Sequence, residues 1–170
     1  MKNKKGFKLI ELLIVVLIID ILAGVAIPHF QLSSDKAKYA SMMSLVKAVK
    51  NEQEMFYQSN GRYATSWDEL GTDILPKGFE IVDESGRHNI QAKYPQFFVS
   101  LVDGSYVYGH ITNPKITYLL GLNKDNDMKG KIQCLAYGTA QQRARANKVC
   151  KSFSKAASSP YGSYEIWNIE

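Results

Sequence analysis

Apolar and polar positions divide the chain into two patterns. The 22 residues from Leu9 to Phe30 are almost all apolar, although Glu11 and Asp20 interrupt them, and the chain beyond Gln31 is mixed. At about 1.5 Å per residue, a helix of that length spans roughly the 30 Å hydrocarbon core of a bilayer. The first pattern therefore predicts a membrane-spanning helix, and the second predicts a separate domain.

Helical periodicity continues into the mixed region. Apolar residues recur there at three- and four-residue spacings, which is typical of one buried stripe on a helix. Asn60-Gly61 is a helix end signal, so we expect one helix from about Phe7 to Ser59 whose second half packs on a domain. The stripe indicates core packing rather than a cofactor site, and its members are Tyr39, Met42, Met43, Val46, Val49 and Phe56.

The rest of the chain has the signals of a short helix followed by strands. Ser66-Trp-Asp-Glu69 reads as a capping box, with Pro76 and Gly78 closing the short helix, and Asp103-Gly104 predicts a two-residue hairpin. The sequence thus predicts an α+β fold in which the long helix packs on an antiparallel sheet of about four strands. Five strand-like runs are present, at residues 79–82, 97–102, 105–111, 116–122 and 132–137.

The distribution of charge predicts the orientation of the chain in a membrane, but it does not identify a partner. The 170 residues suit one domain plus the N-terminal segment, and the net charge of +5 includes Lys2, Lys4 and Lys5. The remainder is only weakly basic, so global charge does not identify a partner. Because these lysines precede the apolar run, the N-terminus is expected in the cytoplasm and the domain outside it.

Two ordinary interpretations of the apolar run stay open. A secretory signal has an apolar stretch of about 7 to 15 residues, and this run is longer, although Ala23-Gly-Val-Ala26 offers a signal peptidase site. A plain single-span anchor fits the length. Neither explains Glu11, since an acid at the centre of a span costs about 2.5 to 3.5 kcal/mol on insertion scales.

The segment Gly6-Phe-Lys-Leu-Ile-Glu11-Leu-Leu-Ile-Val-Val16, with Ile27-Pro28 after it, resembles the N-terminus of type IV pilins, especially the type IVa class. The match covers roughly residues 1 to 60 and rests on a basic leader, Gly, Phe and Glu at a fixed offset. The resemblance implies the ladle-shaped pilin fold. It also implies a leader at 1–6, a transmembrane and filament-core helix at 7–30, and an exported domain at 31–170 that includes the second half of the helix.

The resemblance further implies how the chain would work. A prepilin peptidase would cut after Gly6 and methylate the new amine of Phe7, with which Glu11 of a neighbouring subunit would pair. The expected role is that of a major pilin, a non-enzymatic subunit without cofactor that polymerises into a surface pilus for twitching motility, adhesion and DNA uptake. Before assembly the subunit would lie in the inner membrane, where the pilus assembly machinery is its partner.

Asp20 departs from the family pattern, which usually has a small residue there. It lies nine residues after Glu11, so the two acids are about 180° apart on a helix and cannot share one partner. Three mechanisms would reduce the cost of burying this charge. They are protonation of Asp20, its pairing with Lys8 of another subunit, and melting of the helix near Gly24 and Pro28. A tolerant packing site is the open alternative.

Cys134 and Cys150 lie in the expected exported domain, where oxidation is favoured, so we expect a disulfide. The pair also resembles the disulfide-bounded C-terminal region of type IVa pilins. Its spacing is too long for a CxxC metal or redox motif.

The C-terminal region is locally basic. Seven cations and no acid lie between Met128 and Tyr164. A solvated face, a subunit contact and a DNA-binding surface are the open interpretations. The candidate basic patch consists of Arg143, Arg145, Lys148 and Lys151.

Other function classes have weaker support. Within the resemblance, a minor pilin or a pseudopilin of type II secretion is the alternative, and a membrane-anchored enzyme or binding domain is a distant one. The three histidines lack metal-ligand spacing, so no metal site is predicted. Residues 123–130 faintly resemble a calcium loop, but the twelfth position counted from Asp125 is Ala136, which favours a surface turn.

Overall fold

The computed structural model describes residues 9–71, 73–84, 87–92, 97–102, 105–122, 129–154 and 159–169. The chain forms two compact units, residues 1–34 and residues 35–170. Helix α1, Leu9–Asn60, contributes to both units. In the first unit most of its side chains are exposed, and in the second one of its faces is buried.

The buried face of α1 in the second unit confirms most of the predicted stripe. Met43 and Phe56 are only half-buried, whereas four predicted members are fully buried. Two polar residues, Asp35 and Gln53, are buried on the same face, which the apolar pattern did not reveal. The buried residues of α1 are Asp35, Tyr39, Met42, Leu45, Val46, Val49 and Gln53.

The end of α1 and the start of the short helix follow the sequence signals. Gly61 has a φ of 69° and its N–H donates to the carbonyl of Tyr57, which closes α1 as expected. Helix α2, Trp67–Leu70, begins after Ser66, whose hydroxyl accepts from the N–H of Glu69. However, α2 ends at Leu70 and not near Pro76, and Gly71 caps it by donating its N–H to the Trp67 carbonyl.

The sheet is larger than predicted. In the described residues it has eight antiparallel strands in the order β1-β2-β3-β4-β5-β6-β8-β7, so the expected count of about four was wrong. The strands are β1 Phe79–Glu84, β2 Arg87–Ala92, β3 Phe97–Val102, β4 Tyr106–Ile111, β5 Ile116–Gly121, β6 Ile132–Ala136, β7 Ser159–Tyr161 and β8 Tyr164–Asn168. All five predicted runs are strands. Strand β2 is mostly polar and β7 has three residues, so alternation does not predict them, and β8 was not predicted although it is as long as β6.

Strand β4 contacts α1 in the second unit. A Cβ placed on Gly109 would lie 2.5 Å from Met42 Cγ and 2.8 Å from Val46 Cγ2, so this glycine lets helix and sheet approach closely. Val107 and Ile111 are buried on the same face. Strands β3 and β4 pair as the hairpin signal predicted, although residues 103 and 104 of the turn lie outside the described residues.

A third helix, α3 Ala140–Phe153, connects β6 to the β7–β8 hairpin. Thr139 and Gln142 form a reciprocal capping box at its start. Thr139-Ala-Gln-Gln142 has the spacing of a capping box and is a local signal for this helix, which was not among the predicted elements. Cys134 of β6 and Cys150 of α3 form the expected disulfide, with 5.6 Å between their Cα atoms.

Candidate functional site

The apolar part of α1 is the first candidate site. Its side chains are exposed from Leu9, at 87%, to Phe30, at 76%. Among the described residues, α1 is a helix long and apolar enough to cross a membrane. Exposed apolar surface on this scale marks a segment that lies in lipid or against other protein chains.

Glu11 lies in the first turn of α1, and Asp20 lies further along the same exposed segment. On the helix surface Asp20 groups with Leu13, Val16 and Leu17, one and two turns before it. Gly6 and Phe7, the predicted cleavage and methylation residues, lie outside the described residues.

Gly24 and Pro28 do not interrupt α1. The helix runs through both residues, with Pro28 in its interior. Melting of the helix at these positions therefore stays a prediction about an assembled filament, and it is not a feature of the single chain.

An ion pair joins the start of the second unit to α3. Arg145 donates from Nε to Asp35 Oδ2 at 2.5 Å and from Nη2 to Asp35 Oδ1 at 2.8 Å. The Asp35 side chain is 1% exposed, and that of Arg145 is 37% exposed. A carboxylate this deeply buried requires a paired cation, which Arg145 supplies.

This pair changes the interpretation of the predicted basic patch. Arg145 is engaged with Asp35, and Arg143 reaches the carbonyl of Ser163 at 3.5 Å. Lys148 and Lys151 are exposed on α3. Two of the four cations thus have partners within the chain, and the function of the basic patch stays a prediction.

A buried amide positions the loop after α1. Gln53 Nε2 donates to the carbonyl of Ala64, and the Ala64 N–H donates to Gln53 Oε1, both at 2.9 Å. The paired bonds satisfy both backbone groups of a fully buried residue. The side-chain amide thus pairs with the Ala64 backbone as a neighbouring strand would, and no local pattern in the sequence predicts this contact.

The same loop contains an ion pair at the surface. Arg62 binds Glu69 with two hydrogen bonds, at 2.8 and 3.0 Å, and its guanidinium also lies 5.4 Å from the centre of the Phe56 ring. The bonds from Arg62 and from the Thr65 N–H lower the pKa of Glu69 to about 2. The Glu69 carboxylate thus accepts from Arg62 and Thr65, whereas its backbone N–H donates to the Ser66 hydroxyl.

On the opposite face of the sheet from α1, His110 forms a polar cluster. Its Nδ1 contacts Thr117 Oγ1 at 3.1 Å and also contacts the hydroxyl of Tyr137. Burial, together with the nearby Lys115 charge, lowers the pKa of His110 to about 4, so the ring is neutral at pH 7. The partners of His110 lie 7 and 27 residues away, so no local pattern predicted this cluster. In the described part of the chain, no group of three or more His, Cys, Asp or Glu side chains is arranged to hold a metal ion.

A long N-terminal helix with an exposed apolar segment, followed by an antiparallel sheet, is consistent with the pilin fold. Pilins are among the known proteins to which this chain is similar. The chain is 40% identical over 69 residues to the type IV major pilin protein PilA of Myxococcus xanthus, covering 41% of this chain and 31% of the relative. It is 38% identical over 93 residues to a fimbrial protein of Pseudomonas aeruginosa, covering 54% and 60%.

A third relative is named as a component of a type II secretion system. The chain is 32% identical over 74 residues to the type II secretion system core protein G of Aeromonas hydrophila, covering 44% of this chain and 50% of the relative. No protein-family model matches the chain. The matched segments thus span between 31% and 60% of these relatives. The resemblance to type IV pilins, fimbrial proteins and type II pseudopilins is confirmed over about half of the chain.

Proposed function

We propose that this chain is a structural subunit of a type IV pilus, a major pilin that polymerises with its own copies. The observation that carries the proposal is the exposed apolar segment of α1 with Glu11 in its first turn. The relatives named as pilins and fimbrial proteins support it. An exposed apolar helix of this length needs lipid before assembly and other helices after it.

The proposed assembly begins with cleavage after Gly6 by a prepilin peptidase and methylation of the Phe7 amine. In the filament, Glu11 of one subunit pairs with that amine on its neighbour. Such pairing neutralises both charges in an apolar core, where an uncompensated charge is strongly destabilising. Asp20 is far from Glu11 on the helix and takes a separate partner or a proton.

Residues 1–6 are the leader, 7–30 the membrane and filament-core helix, and 31–170 the exported domain in this proposal. The subunit waits in the inner membrane with its domain outside the cytoplasm, where the pilus assembly machinery extracts it. The finished filament lies at the cell surface and serves twitching motility, adhesion and DNA uptake. The role is structural, without catalysis or a cofactor.

A pseudopilin of type II secretion is the second candidate, because several relatives are named as core protein G of that system. A minor pilin is the third. Mass spectrometry of filaments sheared from cells separates these functions. We expect this chain as the dominant band, with a methylated Phe7 terminus. Filaments dominated by another pilin, or the absence of this chain from them, contradict the major-pilin role.

A substitution at Glu11 tests the assembly step. Glu11→Val should leave membrane insertion and leader cleavage intact and abolish or sharply reduce filament yield. Glu52→Val, which changes an acid in the second half of the same helix, is the control and should retain filaments. Normal filament yield from Glu11→Val would remove the assigned role of this carboxylate.

A further inference from the structure

The part of α1 in the first unit has three ionisable side chains at even spacing. Between Leu9 and Ser34 they are Glu11, Asp20 and His29, each nine residues from the next. The helix is continuous through all three. Nine residues correspond to about two and a half turns and to a rise of about 13.5 Å. Glu11 and His29 therefore lie on one face of the helix, and Asp20 lies on the opposite face.

Asp20 and His29 are exposed side chains of opposite potential charge. Neither takes part in an ion pair in the part of the chain that the structure describes. In the sequence from residue 9 to residue 34, His29 is the one side chain that can carry a positive charge. The two cannot meet within one chain, because they point in opposite directions from the helix axis. Any pairing between them therefore joins two copies of the chain.

Each of the two side chains follows a row of exposed apolar residues that lie three, four and seven positions before it. Residues at these spacings are neighbours on one face of a helix. The rows are Leu13, Val16 and Leu17 before Asp20, and Leu22, Val25 and Ala26 before His29. Packing one row against the other would bury apolar surface around both polar groups, so water would be excluded from them.

We propose, on the basis of the filament function above, that Asp20 of one copy of this chain forms an ion pair with His29 of a second copy. The two helices lie parallel and are staggered by nine residues, about 13.5 Å along their axes. The carboxylate favours the charged form of the imidazole beside it. The pair provides the separate partner that Asp20 needs in an apolar helix bundle, where an uncompensated charge is strongly destabilising.

The same stagger keeps like charges apart. When Asp20 of the first copy is level with His29 of the second, Glu11 of the first is level with Asp20 of the second. These two carboxylates point away from the contact on both sides, so the two helices lie between them. Each copy also offers Asp20 on one face and His29 on the other. Such a head-to-tail contact repeats without closing, which suits a filament.

Lys8 of another copy is the other cation considered for Asp20. That pair needs a stagger of twelve residues. It also leaves His29 without a carboxylate, because Glu11 is assigned to the amine of Phe7 in the filament. The nine-residue stagger compensates Asp20 and His29 together, and we therefore favour it over pairing with Lys8 and over a protonated Asp20.

Cysteine cross-linking tests the geometry in filaments sheared from cells that make only the tested chain. After mild oxidation, Asp20→Cys combined with His29→Cys should give a ladder of many linked copies on a non-reducing gel, because each copy is joined on two faces. Cys134 and Cys150 are already bonded to each other. Ile21→Cys combined with His29→Cys is the matched control. Ile21 is 63% exposed but lies about 100° around the helix from Asp20, so it should give no ladder.

Charge substitutions test whether the contact is an ion pair. His29→Gln leaves Asp20 without a cation and should reduce filament yield by about tenfold or more. Asp20→Asn should reduce it less, since an unpaired histidine can lose its proton. Asp20→His combined with His29→Asp restores the pair in the opposite sense and should recover most of the yield, which altered packing alone would not do. Glu52→Gln, in the second half of α1, is the control and should keep the normal yield.

An immunoblot of processed chain in the membrane verifies insertion and leader cleavage for each variant. A ladder of equal strength from the Ile21 control, or no ladder from assembled double-cysteine filaments, would overturn the proposed contact. If the double-cysteine variant does not assemble, the recovery by the exchange of Asp20 and His29 decides.

Three further results separate the alternatives. A ladder from Lys8→Cys combined with Asp20→Cys, in place of the expected one, would assign Asp20 to Lys8. Normal filament yield from His29→Gln would mean that Asp20 is protonated or tolerated, and it would overturn the ion pair. Both results leave the filament proposal standing. If the unchanged chain forms no filaments, the filament proposal fails and the pairing of Asp20 with His29 fails with it.

Discussion

Asp35 of α1 and Arg145 of α3 form a bidentate ion pair between residues 110 positions apart in the sequence. Asp35 is the first residue of the second unit, and Arg145 lies on the helix that the disulfide ties to β6. The pair therefore fixes α1, at its entry into the domain, to the C-terminal part of the chain.

Substitutions of Arg145 and of Asp35 should lower the free energy of unfolding by different amounts. Arg145→Gln leaves a buried carboxylate and is expected to lower the free energy of unfolding by about 3 kcal/mol. Asp35→Asn leaves a cation that reaches water, so its cost should be smaller, about 1 to 2 kcal/mol. Urea unfolding in detergent, followed by near-ultraviolet circular dichroism, measures both. Arg143→Gln is the control, and a loss from it equal to that from Arg145→Gln would contradict the assignment.

Gly109→Ala should destabilise the domain by overpacking. The added methyl would meet Met42 and Val46 at 2.8 Å or less, and extra volume in a packed core typically costs about 1 to 3 kcal/mol. Met42→Ala makes room for the methyl, so the double variant should lose less than the sum of the two single variants. Additive losses in urea unfolding would mean that the two sites are not in contact.

The role of the Gln53 side chain can be tested by replacing its amide nitrogen with oxygen. Gln53→Glu keeps the acceptor for the Ala64 N–H but loses the donor for the Ala64 carbonyl, and burial raises the pKa of the new carboxyl. When protonated, that carboxyl can donate again. Because the folded state then binds the proton more tightly than the unfolded state, the variant should gain stability relative to the unchanged chain as the pH falls. Melting temperatures measured between pH 7 and pH 5 test this, and parallel curves would refute it.

His110 should make the domain less stable in acid. Its pKa is about 4 in the folded chain and about 6.5 when unfolded, so protons bind the unfolded state more tightly between these values. Stability is therefore fully present above about pH 6.5, falls by at most about 3 kcal/mol as the pH drops towards 4, and then levels off with respect to this group. Lys115, Thr117 and Tyr137 are the groups that surround the ring.

His110→Gln provides the comparison for that pH dependence. The glutamine side chain cannot take up a proton. The unfolding free energy of the unchanged chain minus that of His110→Gln should therefore fall as the pH is lowered from 7 to 4. Tyr137→Phe, which keeps the histidine and removes its hydroxyl partner, should retain the pH dependence. A constant difference over the range would show that His110 does not titrate as the structure indicates.

Local signals predicted the elements that have strong periodicity. The apolar run, the stripe of α1 and the end at Gly61 all follow from spacing along one helix. The five apolar strands follow from short runs rich in β-branched and aromatic residues. Strands β2 and β7 were missed because β2 is mostly polar and β7 is short, and neighbours in the sheet stabilise them.

The sequence by itself determined the exposed apolar helix with its two acids, the α+β class and the cysteine pair, because each depends on composition or on short-range spacing. Only the tertiary structure decided that Arg145 pairs with Asp35 and that Gln53 holds Ala64. These contacts join residues far apart in the sequence. Strand register and helix placement set them, and no local pattern encodes either.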